Sequence, residues 1–365
     1  MKNLFFSLIC IVIATTGNSQ IVSTILNSAS QKVDDALIID AHGNLYGSHY
    51  NGSNVYKITP SGTVSIFAGG FNTPNGLAFD SQNNLFVCDN IANRIYKLSE
   101  TGIFLDTINI LKPSGIIKQP NSDTMIVAQY QTNLLSQVAP DKTIIDLHSG
   151  TPLNGPVGLA YDSHGKLFLG NFIGRKIYSY DSAGLTYVAT IPGSASWWLG
   201  FITYANGSIW ATGFQDNKIY RVNPNFVDSV SIFAGSMIGN IDGAIDSARF
   251  NNPNGITASI TGDTLFISDY NSGRVRMISG MLSTGISEQH SRNSNIIIYP
   301  NPAKDFIYIS SDQQIDKVYI YDLAGNMQVI SDKSHINIEK LISAEYLVKV
   351  LLKDKSEVRR ILVLD

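Results

Sequence analysis

Residues 251–279 read NNPNGITASITGDTLFISDYNSGRVRMIS, and residues 72–99 read NTPNGLAFDSQNNLFVCDNIANRIYKLS. Both run P-N-G, an apolar alternation, a short polar turn, L-F-x-x-D, a polar gap, then Arg with a β-branched residue. Fainter copies start at Asp34 (DDALIIDAHGNLYGSHYNGSNVYKI), Pro113 (PSGIIKQPNSDTMIVAQYQTNLLSQV), Pro156 (PVGLAYDSHGKLFLGNFIGRKIYSY) and Trp198 (WLGFITYANGSIWATGFQDNKIYRV). A marker glycine recurs as Gly76, Gly115, Gly158, Gly200 and Gly255, with Ala36 in its place in the first copy. The spacing is about forty residues, longer before the last copy, which is the period of a blade repeat.

Within each copy the period-2 alternation predicts half-buried strands. Polar turns such as AHGN, SQNN and SHGK join the first two strands as hairpins. A third strand follows (RIYKLS, KIYSYD, RVRMIS), and often a fourth (TVSIFAGG, TIIDLHSG, SVSIFAGS). Four antiparallel strands repeated in this way predict a six-bladed β-propeller, because a blade buries both faces only against neighbouring blades. The last copy ends after its third strand. The segment IVSTILNSAS (21–30) is a spare strand, and the simplest closure places it as the outer strand of the sixth blade. The fifth unit carries an extra loop in which Asp242-Gly243 is a turn signal.

The totals agree with an all-β chain. Of 365 residues, 44% are hydrophobic, and Gly (30), Tyr (17) and Phe (16) suit many short strands and tight turns. The formal charge of −3 and the lack of a Lys/Arg-rich run argue against nucleic acid as a partner. Residues 1–20 have the build of a secretory signal peptide: Lys2, an apolar run from Leu4 to Ala14, then small and polar residues, with cleavage expected near Ser19–Gln20. That run is too short to span a bilayer, and no transmembrane segment is expected after its removal. Cys10 leaves with the signal, so the mature chain keeps only Cys88, expected as a small core residue, and forms no internal disulfide.

On these residues, segment 33–280 resembles the NHL repeat, as does the arrangement of Asp242, Gly243, Ala248, Arg249 and Phe250. The wider relatives include gluconolactonase-like and streptogramin-lyase-like propellers. The propeller is assigned to 21–280 and a polar linker to 281–294. From 295 to 365 the composition shifts and about seven short strands are expected, forming a small C-terminal β-sandwich. This part resembles the C-terminal sorting domain of type IX secretion. The resemblance rests on Tyr299-Pro300-Asn301-Pro302-Ala303, Val318-Tyr319-Ile320-Tyr321-Asp322-Leu323 with Gly325, and Ser343-Ala344 with Tyr346-Leu347-Val348-Lys349. Glu345 stands where the family usually has Gly. The resemblance implies the type IX machinery as a partner and a secreted or outer-surface location.

Propeller function sits at one mouth of the axis, on strand ends held by a rigid ring. The register predicts two rings there: Asp35, Asn75, Ser114, Val157, Leu199 and Asn254 before the marker positions, and His49, Asp89, Gln129, Asn171, Gly213 and Asp269 at the ends of the second strands. Trp197 and Trp198 open the fifth blade at the same mouth, and an exposed Trp198 would suggest stacking on a sugar or peptide. Asp35, Asn75 and Asn254 carry oxygens suited to a hard cation such as Ca2+. The gluconolactonase-like relatives hold such an ion with a Glu, an Asn and an Asp. Asn75 or Asn254 match their Asn, but the Glu does not carry over, because Glu100, in a turn, is the only Glu between signal and linker. The lyase-like relatives need His and Glu at the mouth, and His49 stands alone. Asp89 and Asp269 each precede an Arg by five residues (Arg94, Arg274), and such pairs are expected to tie the strand-end turn by charge-assisted hydrogen bonds. The expectation is therefore non-catalytic binding of an extracellular protein, peptide or glycan. A metal-dependent lactonase-like hydrolase is the first alternative and a purely architectural surface protein the second.

Overall fold

The computed structural model describes residues 20–28, 30–281, 296–300, 303–311, 314–322, 327–352 and 356–363. Residues 1–19 of the expected signal peptide and 282–294 of the expected linker lie outside the described residues, as do Asn301, Pro302, Leu323 and Gly325 of the sorting motif. Every regular element described is a β-strand. Contacts divide the chain into two compact units, 1–283 and 284–365.

The first unit is a ring of six antiparallel sheets, with blades over 37–69, 74–109, 113–149, 156–190, 199–234 and 253–279. The first five have four strands in sequence order, as the repeat predicts. Apolar side chains that alternate along each strand meet those of the next blade. Ala78, Phe86, Ile95 and Ile108 of the second blade pack with Ile116, Met125, Val127 and Val138 of the third. The same interdigitation joins the third to the fourth, the fourth to the fifth and the sixth to the first. Each large apolar side chain fully buried in this way contributes about 1.5–3 kcal/mol.

Closure follows the expected route and adds a strand to it. Ile21–Leu26 pairs antiparallel with Arg274–Ser279 and becomes the outer strand of the sixth blade. The Asp242-Gly243 turn signal resolves differently: Gly243–Ala244 is a short fifth strand on the far edge of Ile21–Leu26, with Val22 opposite Gly243. Asp242 latches it. Its carboxylate accepts the Thr24 amide at 3.0 Å and the Thr24 hydroxyl at 2.9 Å, and pairs with Arg276 at 2.6 Å. Arg276 is fully buried and also bonds Asp269. The loop thus covers what would be an open sheet edge.

The marker glycines set the spacing of the inner strands. A Cβ on Gly115 would lie 1.8 Å from the Val157 carbonyl oxygen, one on Gly76 would lie 2.2 Å from that of Ser114, and one on Gly255 would lie 2.0 Å from that of Asp35. In every case the obstacle is backbone of the next blade.

The second unit has a three-stranded and a four-stranded sheet. Ile307, Ile309 and Ile336 of the first share one core with Val318, Ile320, Val348 and Val350 of the second.

Gly115→Ala should prevent the third and fourth blades from closing on each other and cost more than about 4 kcal/mol, in the range of severe core disruption. Ala36→Gly, at the one position where the ring already tolerates a methyl group, should cost no more than about 1 kcal/mol. Chemical denaturation of the two variants beside the parent checks both.

Candidate functional site

Each first strand starts at the same mouth, which brings residues before the marker positions of neighbouring blades together. The six split into two hydrogen-bonded pairs and two apolar members. Asn254 donates from Nδ2 to Asp35 Oδ1 at 2.7 Å, and Asn75 donates to Ser114 Oγ at 2.9 Å. Val157 and Leu199 are buried among apolar neighbours. Asp35 and Asn254 therefore meet directly, whereas Asn75 is paired with Ser114. One oxygen of each remains without a hydrogen bond: Asp35 Oδ2, Asn75 Oδ1 and Asn254 Oδ1. All three residues are at most 6% exposed. Leaving a buried polar atom without a partner costs about 1–3 kcal/mol. Burial, and then the neighbouring charge of Asp34, raises the Asp35 carboxyl well above the usual range.

The second ring is turned toward the backbone. Asp89 accepts the amides of Asn72, Thr73 and Ala92 at 2.7–3.1 Å. Asn171 donates to the Pro152 carbonyl, and Gln129 to Ser136 Oγ. Asp269 accepts the Asn251 amide and pairs with Arg276 at 3.1 Å, and burial lifts its carboxyl to about 6 against the pull of that Arg. The expected Asp–Arg ties at five-residue spacing do not form. Arg94 lies across from Asp89 in the ladder but points to solvent, and Arg274 bonds Asn27 and the Asn240 carbonyl. The reason is that both carboxylates already have other partners. Asp89 is saturated by amides, and in the sixth blade the residue two positions further on, Arg276, reaches the buried carboxylate on the same face.

His49 departs from this pattern. Its Nε2 lies 3.4 Å from Asp34 Oδ2, and its side chain is partly exposed. Asp34, which the repeat register did not single out, also accepts the Tyr50 amide at 2.7 Å. Burial raises Asp34 to about 7 against the opposing Tyr50 bond and Lys32, while burial and then Lys32 lower His49. Burial thus disfavours both charges of this contact near neutral pH.

A third ring was missed in the sequence, although its signal is there. The residue after each second-ring position is Tyr50, Asn90, Tyr130, Phe172, Phe214 and Tyr270, aromatic in five of six blades. Their rings form a continuous run. Tyr130 meets Phe172 at 5.7 Å, Phe172 meets Phe214 at 5.9 Å, Phe214 meets Tyr270 at 5.2 Å, and Tyr270 meets Tyr50 at 6.4 Å. Trp198 lies on this run, 5.1 Å from Phe172 with the planes 22° apart, and is 37% exposed. The Tyr50 hydroxyl is raised by burial, then by the nearby Asp35, Tyr270 and Tyr130.

Comparison with known proteins assigns the two units separately. Residues 297–364 match the secretion system C-terminal sorting domain. No curated protein matches the chain. Solved structures share the fold of the first unit. An auxiliary nutrient binding protein from Bacteroides thetaiotaomicron is similar over 71% of this chain and 76% of its own, with 16% identity and a TM-score of 0.61. Virginiamycin B lyase from Staphylococcus aureus is similar over 70% and 82%, with 19% identity and a TM-score of 0.53. A gluconolactonase from Xanthomonas campestris is similar over 71% and 89%, with 14% identity and a TM-score of 0.54.

Asp34 supplies a pH test of this corner of the mouth. Its folded value of about 7 lies above the usual 3.8, so the folded state keeps a proton that the unfolded chain has lost between those two values. Folding takes up that proton, and this group's contribution to stability falls as pH rises from about 4 to 7. Asp34→Asn should remove that loss, so its denaturation midpoint should gain on the parent's over this interval and run parallel to it above pH 8.

The chain is thus a propeller of the lyase- and gluconolactonase-like fold joined to a type IX secretion sorting domain, which directs it to the cell surface or beyond.

Proposed function

We propose that this protein is a non-catalytic binding propeller, delivered outside the cell by its C-terminal domain, whose mouth holds an extracellular protein, peptide or glycan. The observation that carries this reading is the aromatic run from Tyr130 to Tyr50 with the exposed Trp198 upon it. Aromatic faces supply contact area at small conformational cost and concentrate binding energy. The nutrient-binding neighbour supports a propeller of this fold serving in binding. Peptide and glycan arrays probed with the full chain test the reading. Trp198→Ala should reduce array signal about tenfold, as expected for a central aromatic contact. Phe226→Ala, on an exposed turn at the other end of the fifth blade, should leave it unchanged. Equal signal from Trp198→Ala and the parent overturns the reading.

A second reading, a metal-dependent lactonase-like hydrolase, is favoured by the three unpaired oxygens of Asp35, Asn75 and Asn254. They would be the residues to hold a hard cation such as Ca2+, which takes six to eight oxygens, the remainder coming from water or substrate. Such an ion would polarise the carbonyl of a lactone. For this chain's own groups, the ion's charge would draw the proton from Asp35, which burial and Asp34 otherwise hold in place. Calorimetric titration with Ca2+ and a lactone panel distinguish the readings. Ca2+-dependent turnover that is lost in Asp35→Asn establishes the hydrolase, and neither heat nor turnover removes it.

A further inference from the structure

We infer that the ligand of this mouth is a neutral saccharide, stacked by its C–H face on Trp198 and bonded through its hydroxyls to the tyrosine hydroxyls around it; this deepens the binding reading and rests on it. Three observations carry the choice. The first is the kind of polar group. Asp35 Oδ2, Asn75 Oδ1 and Asn254 Oδ1 are closed off from solvent, so the polar groups a ligand meets are the tyrosine hydroxyls. The Tyr50 and Tyr130 hydroxyls have no hydrogen bond to the protein among the described residues, while the Tyr270 hydroxyl accepts one from Asn51. Rotatable hydroxyls that both donate and accept suit a polyol, which brings a hydroxyl on almost every carbon. A peptide brings one backbone donor and one acceptor per residue.

The second observation is rigidity. The Trp198 carbonyl accepts Arg175 Nη1 at 3.1 Å and the Phe214 amide at 3.1 Å. Arg175, itself 2% exposed, is fixed by Asp216 at 2.8 Å and by the Pro192 carbonyl at 2.7 Å. The indole is further laid against Phe172. Stacking on a platform already held in place loses little ordering entropy. The third observation is charge. The titratable groups around the mouth are Asp34, Asp35 and His49, with Lys32 acting on Asp34 and His49, the second-ring Asp89 and Asp269, and the Arg175–Asp216 pair behind Trp198. Asp216 is paired with Arg175 and Asp269 with Arg276, Asp89 is held by three backbone amides, and Asp34 lies against His49, so these groups are engaged within the protein and are not presented to an ionic ligand. The gap in the aromatic run, at the buried Asn90, leaves one side of the ring polar.

The test is a titration of the full chain with neutral hexasaccharides of glucose, mannose and xylose, followed by tryptophan fluorescence and calorimetry. Binding of at least one of them is expected, together with loss of the fluorescence change in Trp198→Phe. Trp198→Ala should weaken affinity about tenfold or more, and Tyr50→Phe and Tyr130→Phe about threefold each, all with the parent's melting temperature. Saccharide binding that Trp198→Ala does not alter overturns the proposal. So does silence from every saccharide at about 10 mM, well beyond the millimolar range of weak specific binding. Tetramethylammonium is the cationic control: binding by it alone replaces the saccharide with an ammonium ligand. The failure of the saccharide is distinguishable from failure of binding itself, because a Trp198-dependent peptide on the array preserves the latter and refutes the former.

Discussion

Backbone packs against backbone where the inner strand of one blade passes the marker glycine of its neighbour. At Gly115 there is no room for even a methyl group, since a Cβ would sit 1.8 Å from the Val157 carbonyl oxygen. The apolar faces can interdigitate only if the inner strands come this near, and the inner strands can come this near only without a side chain between them. The hydrophobic stabilisation of the ring therefore depends on a position that contributes no hydrophobic surface of its own. The neighbouring carbonyls are satisfied across the same seams. Ser268 Oγ donates to the Asp35 carbonyl at 2.6 Å, and Thr212 Oγ1 donates to that of Asn254 at 2.6 Å. Small residues on the second strands serve the approach in the same way that glycine permits it.

This constraint also shapes the mouth. Where the residue before a marker position is polar, it meets its counterpart on the next blade, and whatever polar atoms it carries must find partners from neighbours or from a ligand. Asn75 finds Ser114 and Asn254 finds Asp35, each using its amide nitrogen and leaving its oxygen unpaired. Val157 and Leu199 evade the problem by being apolar. The inner ring is polar on one side and apolar on the other, and the aromatic run extends over the apolar side through Phe172, Trp198 and Phe214.

What the sequence made legible was what repeats. The glycine spacing specified six blades, and the missing fourth strand after Arg274–Ser279 pointed to the spare strand at Ile21. Interactions between repeats were not legible. Asp89 and Arg94 looked like partners at five-residue spacing, but a strand-end carboxylate surrounded by three backbone amides needs no cation, and only the sixth blade has an Arg two residues further in. Asp242 looked like a turn residue because its partners, Thr24 and Arg276, are remote in sequence. The aromatic column was present in every copy but the second. Reading only the polar register positions passed over it, because a single aromatic at a strand end reads as core.

The first blade is where the repeat is least regular, and the irregularities gather on one side of the closure. It carries Ala36 in place of glycine, the Asp34–Asp35 pair, and His49 where other blades have an amide, an acid or glycine. Its neighbour across the seam is the sixth blade, which is incomplete until Ile21–Leu26 adds its outer strand. The bonds from Asn254 and Ser268 to Asp35 cross that seam, as does the hydrogen bond from Asn51 to Tyr270. The acidic corner of the mouth and one end of the aromatic run therefore exist only when the ring is closed. The Asp242 latch acts at the outer edge of the same blade and holds in place the strand on which that closure depends. A change at Thr24 or Asp242, on the rim and away from the axis, thus reaches the mouth through the completeness of the sixth blade.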